Sequence, residues 1–304
     1  MRREEGLLYR NLIGGNLRGA RESAIELLST KKSIRDQELI ANLSQELKEK
    51  IYHPELTGEL AKMISEIDLK NVFFPDRLVL SADDKRVMGD VIARHNLHDK
   101  LVRLRITNTN TTLIYGRSGV GKTLLAQNIA YKANLPCYYV NFANLINSAL
   151  GKTGKNIMNL FDFVAGVDCV MILDEVDAIA IGRGIGSQAA DGEMNRVVIN
   201  LLQGLDKLQT SSILIATTNR YEVLDKALLR RFSIHYEMRE LDSVEKRSLV
   251  VKYLNSIGYV YEKEWLNRFM LEHENESNAV ITNKLERELV RILIANPDLL
   301  EVDE

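Results

Sequence analysis

Residues 111–123 read TTLIYGRSGVGKT, an apolar β-strand pattern that runs directly into a glycine-rich turn ending in Lys-Thr. Gly116, Gly121, Lys122 and Thr123 have the spacing of a phosphate-binding loop, with Gly119 between them. Such a loop needs glycines because its backbone N–H groups must close around phosphate oxygens. The helical pattern that follows, LLAQNIAYKA at 124–133, adds the positive end of a helix dipole. The expected contacts with a nucleotide are Gly116, Ser118, Gly119, Val120, Gly121, Lys122, Thr123 and Leu124. In this reading Lys122 reaches the β- and γ-phosphates and the Thr123 hydroxyl is offered to Mg²⁺, so ATP and Mg²⁺ are the expected cofactors.

Three more short apolar runs follow the same plan: CYYVNF at 137–142, CVMILD at 169–174 and ILIATT at 213–218. Strands alternating with helices of about 10–15 residues argue for a parallel sheet covered on both faces, and strands buried on both faces are apolar almost throughout. The expected fold class is α/β: a P-loop NTPase three-layer αβα unit with a parallel sheet, preceded by a small helical domain and followed by a helical lid. The run at 169–174 continues into EVD. A buried strand there delivers Asp174 to its carboxyl end, where with Thr123 it can hold Mg²⁺, and leaves Glu175 beside it to polarise a water.

Upstream, apolar positions recur at helical spacing: Ala20, Ala24, Leu27 and Leu28, then Leu39, Ile40, Leu43 and Leu47, then Leu60, Met63, Ile64 and Ile67. Ser33 with Asp36 resembles a capping box, and His53-Pro54 marks a break. After an extended stretch at 72–80, Ser81 with Asp84 opens a helix reaching about His95. Downstream of about Arg239, Asp242 with Glu245 opens a helix running toward Gly258, a second surrounds Trp265, and a third covers 281–295 before Asn296-Pro297. The expected boundaries are therefore 1–70 for a helical amino-terminal region suited to docking a partner, 71–238 for the large αβα unit and 239–304 for the lid.

The chain has 304 residues, with 40 Lys+Arg against 42 Asp+Glu. A net charge of -2 provides no global field for drawing in a polyphosphate chain, so nucleic acid is not the expected partner. The longest aliphatic stretches, such as VMIL at 170–173, fall far short of the ~18 residues that span a bilayer. MRREEGLLYR at the amino terminus lacks the pattern of a secretory signal. A cytoplasmic location with no membrane contact is expected. Cys137 and Cys169 lie inside strand patterns and read as core thiols.

After the fourth strand, ATTNRYEVLDKALLRRF at 216–232 closely resembles the second region of homology of AAA ATPases, and the resemblance extends over about residues 75–295 with three motifs in the family's order. It implies that Asn219, at the sensor-1 position, orients the attacking water. It also implies that Arg230 and Arg231 are arginine fingers reaching the γ-phosphate of ATP on a neighbouring subunit. The catalytic set is then Glu175, Asn219, Arg230 and Arg231, completed only at a subunit interface. The family's usual assembly is a homo-oligomeric ring, commonly a hexamer, closed by a head-to-tail contact. The compact AAA proteins that this chain is similar to remodel or regulate protein partners, a protease or another effector among them.

The same resemblance aligns Ala149, Leu150 and Gly151 of NSALGKTGKN (147–156) with a pore-loop triplet whose first member is aromatic in the family. Alanine offers far less contact area for gripping a threaded chain, which weakens a threading role. GRGIGSQAADGE at 182–193, with Arg183, reads as a second pore loop or a surface loop. No sensor-2 arginine is recognisable, and Lys284 and Arg287 read as solvated helix residues. Two other functions compete: a nucleic-acid motor or loader, and a slow nucleotide-dependent assembly switch.

Overall fold

The structure, a computed structural model, describes residues 5–9, 17–30, 56, 58–106, 109–142, 153–178, 188–208 and 211–295. Its strands are β1 (Ser65–Ile67), β2 (Thr111–Tyr115), β3 (Cys137–Asn141), β4 (Val170–Asp174), β5 (Ile213–Thr218) and β6 (Ile234–Glu237). Its longer helices are α1 (Leu17–Thr30), α2 (Ala82–Asn96), α3 (Lys122–Ala133), α4 (Thr153–Gly166), α5 (Gln188–Lys207), α6 (Ser243–Ser256), α7 (Lys263–His273) and α8 (Asn278–Ala295). The pore-loop triplet at 149–151, Arg183, the Ser33–Asp36 cap, the 39–47 helix, His53-Pro54 and Asn296-Pro297 all lie outside the described residues.

The strands form one sheet in the order β1-β3-β4-β5-β2-β6, parallel throughout except for β1, which pairs antiparallel with β3. Successive side chains of a strand point to opposite faces, and the core divides accordingly. Met171 and Leu173 of β4 pack with Ile157, Phe161 and Val164 of α4 and Val198 and Leu201 of α5. Val170 and Ile172 pack on the other face with Val87 and Val91 of α2 and Leu125 and Ile129 of α3. This two-sided cover is why the central strands read as unbroken apolar runs. Cys137 and Cys169 are buried in it, their thiols pushed up to about 12 mainly by that burial. A third apolar cluster, including Val250, Leu254, Phe269, Ile281 and Leu285, holds α6, α7 and α8 together.

Two capping boxes stand where the sequence places them, Ser81 with Asp84 on α2 and Asp242 with Glu245 on α6. The edges of the sheet differ from expectation. The helix read through Ile67 stops at Met63, and Ser65–Ile67 becomes β1, with Glu66 opposite Tyr138. Hydrogen bonds offered by the free edge of β3 override a helical spacing carried by only a few residues. The sheet therefore reaches back into the segment read as helical. The stretch at 72–80 begins on the last residue of a helical turn, Leu69–Val72, and contains a 3₁₀ turn, Pro75–Arg77, before it becomes extended. β6 has no apolar run in sequence because it is an edge strand with only Tyr236 buried.

Candidate active site

Parallel pairing sets the carboxyl ends of the central strands side by side. Tyr115 of β2 is in register with Thr218 of β5, and Asn141 of β3 with Asp174 of β4. In open α/β sheets ligands bind outside these ends. The loop after β2 turns through Gly116, Gly119 and Gly121, all with positive φ. A Cβ at Gly116 would lie 2.4 Å from the Met238 carbonyl oxygen, and one at Gly119 would lie 2.8 Å from Ser277 Oγ. Close backbone approach thus demands glycine at 116, and at 119 the left-handed φ of 79° together with the Ser277 and Ala279 side chains favours it. Lys122 opens α3 with its side chain folded over the loop, Nζ donating to the carbonyls of Gly116 (3.0 Å) and Arg117 (2.8 Å) and to Asn219 Oδ1 (2.6 Å). Burial holds its pKa below the ordinary lysine value, while Asp174 and Asp177 pull in the other direction.

Asp174 is the hub of the strand ends. Its carboxylate accepts from Thr123 Oγ1 (3.3 Å), Tyr139 OH (3.0 Å), Thr217 Oγ1 and the Glu175 N–H (3.1 Å). Tyr139 is pushed up to about 12, by burial first and by Asp174 next, so it remains a donor. Glu175 is exposed and left-handed, φ 57°, a conformation that costs an L-residue about 1–2 kcal/mol. Bonds from Val176 N to Thr217 O (3.1 Å) and from Ala178 N to Glu175 O (3.0 Å) hold the turn, and Asn141 Nδ2 donates to Glu175 Oε2 (2.9 Å). The donor set fits Mg²⁺: a hydroxyl and a carboxylate beside a loop built for phosphate, all hard oxygen ligands.

A cleft of about 440 Å³ brings together Ser118 to Leu124 of the loop with Asp174, Glu175 and Asn219. Its other walls are Leu78 and Val79 from the segment before α2, Met238 and Leu241 after β6, Leu249 of α6, and Asn278, Ala279, Thr282 and Asn283 from α8. The volume is that of an ordinary small-molecule site. The lid touches the loop directly. Asn278 Nδ2 donates to the Val120 carbonyl (3.0 Å) and Ala279 N to that of Gly119 (3.1 Å). Asn278 is only 8% exposed, and its Oδ1 has no partner among the described residues.

Of the residues read from sequence, Ser118 to Thr123, Leu124, Asp174, Glu175 and Asn219 line this cleft, and Gly116 adjoins it through Lys122. Arg230 and Arg231 do not line it. Arg230 is exposed at the end of the short helix Lys226–Leu229, and Arg231 is turned onto Asp206 at the end of α5. Lys284 pairs with Glu276, and neither it nor Arg287 lines the cleft. Asn141, Tyr139 and Asn278 escaped the sequence reading. Their only signal is position, at a strand end and just ahead of a helix's apolar periodicity.

Residues 112–240 match the family model described as "ATPase family associated with various cellular activities (AAA)". Residues 112–240 thus carry an AAA domain. An uncharacterized AAA family ATPase of Sinorhizobium fredii is 36% identical over 155 residues, 51% of this chain and 46% of that one. The peroxisomal ATPase PEX6 of Dictyostelium discoideum is 38% identical over 152 residues, 49% of this chain and 13% of that protein. The ATP-dependent zinc metalloprotease FtsH of Pelodictyon phaeoclathratiforme is 31% identical over 174 residues, 56% of this chain and 26% of that protein. The chain thus spans less than half the length of these relatives. Among solved structures, the FIGL-1 AAA domain in complex with ADP superposes with a TM-score of 0.62 at 16% identity, covering 83% of this chain and 86% of that one. That likeness establishes the fold. Among the described residues no helix is long and apolar enough to cross a membrane.

Proposed function

We propose that the protein binds Mg-ATP and hydrolyses it within a homo-oligomeric ring, a hexamer by family habit, that remodels or regulates a protein partner in the cytoplasm. The observation that carries this reading is the convergence of Lys122, Thr123, Asp174, Glu175 and Asn219 on one cleft. In the proposed mechanism Lys122 exchanges the Gly116 and Arg117 carbonyls for phosphate oxygens. Thr123 and Asp174 would hold Mg²⁺, which would supply neutralisation of phosphate charge. Asn219 orients a water, and Glu175 polarises it for in-line attack. Neither arginine of the 230–231 pair lines its own cleft and Arg230 is exposed, which suits delivery of positive charge to a neighbour's site. Relatives named as an ATP-dependent protease and as a putative 26S proteasome regulatory subunit homolog favour a protein as the object of the work. Residues 1–70 are the proposed docking region, apart from β1 (65–67), which belongs to the sheet of the motor, with 71–238 the motor and 239–304 the lid.

The test is the mass of the Glu175→Gln protein by light scattering with and without Mg-ATP, together with the ATPase rate of the unmutated protein across concentration. A rise to a ring-sized species, with specific activity climbing as subunits associate, is expected. A persistent monomer with concentration-independent turnover would overturn the interface-completed site. A nucleic-acid motor would instead be signalled by salt-sensitive DNA binding.

A further inference from the structure

We infer that the two adjacent arginines do different work: Arg230 is presented to the neighbouring subunit's nucleotide, and Arg231 is a positioning residue, clamped by Asp206, that sets where Arg230 points. The inference rests on the ATPase reading above and refines it.

All three guanidinium nitrogens of Arg231 are engaged within its own subunit. Nε and Nη2 donate to the two oxygens of Asp206, each at 2.9 Å, and Nη1 donates to the Ala227 carbonyl at 2.7 Å. Paired bonds of this fork geometry are charge-assisted and the stronger kind. They hold Arg231 protonated and the Asp206 carboxyl below the usual range. The backbone is fixed as well, because Thr111 Oγ1 at the start of β2 donates to the Arg231 carbonyl (2.8 Å). Arg231 therefore ties together the end of α5, the short helix Lys226–Leu229 and the central strand. To serve a neighbour it would have to break three hydrogen bonds at once.

Arg230 is in the opposite situation. Its backbone is helical (φ -62°, ψ -15°), with its N–H bonded to the Lys226 carbonyl (3.2 Å), while its side chain is exposed and in no ion pair among the described residues. Consecutive helical residues project about 100° apart, so anchoring Arg231 on Asp206 directs Arg230 to another side of the helix end. A free cation on a fixed backbone is what transition-state stabilisation in trans requires, since no reorganisation is left for the moment of reaction.

The deciding variant is Asp206→Asn in the full chain, which with little change in shape replaces the paired carboxylate by an amide that accepts through one oxygen only and so loosens Arg231. If Arg231 were the finger, freeing it would leave turnover equal or faster. The inference expects kcat to fall about tenfold, with the KM for ATP and the oligomer mass unchanged, and expects the swapped pair Asp206→Arg/Arg231→Asp to recover part of the loss. Arg230→Ala should lose about 10³-fold or more in kcat while still binding a fluorescent ATP analogue. Mixing it with Lys122→Ala subunits, which retain Arg230, should restore turnover that neither protein has alone. Full activity in Asp206→Asn, or in Arg230→Ala, overturns the division of labour. Absence of turnover in the unmutated protein would instead overturn the ATPase reading itself.

Discussion

Replacing Asn278 by Ala and, separately, by Asp should uncouple the lid from the phosphate loop by different amounts. In the unmutated protein the buried Nδ2 group donates to the Val120 carbonyl at 3.0 Å, while Oδ1 is buried without a partner. Alanine deletes both. Loss of the hydrogen bond costs about 1 kcal/mol, and removing an acceptor buried without a partner offsets part of it, so the net change stays at or below about 1 kcal/mol. Aspartate puts an oxygen where the amide donated, facing the Val120 carbonyl in the same buried position. An uncompensated buried charge costs about 3–5 kcal/mol. At roughly 2–4 °C per kcal/mol for a unit of this size, Asn278→Ala should melt within about 4 °C of the unmutated protein and Asn278→Asp at least about 6 °C lower. The carboxylate also enters the cleft proposed to hold a polyanion, so affinity for a fluorescent ATP analogue should drop at least about tenfold, equivalent to about 1.4 kcal/mol. Differential scanning calorimetry and nucleotide titration measure both effects. An Asn278→Asp protein that melts and binds as the unmutated one does would refute the lid–loop coupling.

Lys122→Ala removes a buried ammonium whose charge-assisted bonds are worth about 1.5–3 kcal/mol each, and isothermal titration should find nucleotide affinity reduced by roughly 10–100-fold or more. Gly204→Ala sets two effects against each other. Better helix propensity contributes about 1 kcal/mol, but the new Cβ would lie 2.0 Å from a ring carbon of Phe161, and overpacking costs about 1–3 kcal/mol, so urea denaturation should reveal net destabilisation that Phe161→Leu partly relieves. Glu245 is held below the usual carboxylate range chiefly by its hydrogen bonds to Arg239. A depressed carboxyl stabilises the fold above its unfolded pKa of about 4.3, and that contribution is lost as pH falls through the lower folded value. Glu245→Gln should therefore melt lower than the unmutated protein at pH 7, and the gap should close as thermal scans are taken from pH 5 to pH 3.

Local chemistry explains which parts of the fold were legible. The phosphate loop, the four central strands, Asp174 at its strand end and both capping boxes depend on neighbours within a few residues, and their patterns are complete in the chain itself. Burial on both faces leaves an unbroken apolar run at 170–173, which no edge strand needs. β1 and β6 were missed for that reason: each pairs on one side only, and the three residues of β1 lie in a segment with helical spacing.

The amino-acid order alone was enough to give the fold class and to single out Lys122, Thr123, Asp174 and Glu175, each at a set offset from a strand or a glycine, while Asn219 was singled out by resemblance to the second region of homology. It held no information on partners that meet across long separations. Asp206 finds Arg231 25 positions away, Asn278 reaches Val120 from 158 positions away, and Lys122 meets Asn219 from 97. The first two come from the packing of α5 and α8 against the sheet and the phosphate loop, and the third from the parallel pairing of β2 with β5. Packing of that kind is settled by the summed burial of the whole core and has no local motif.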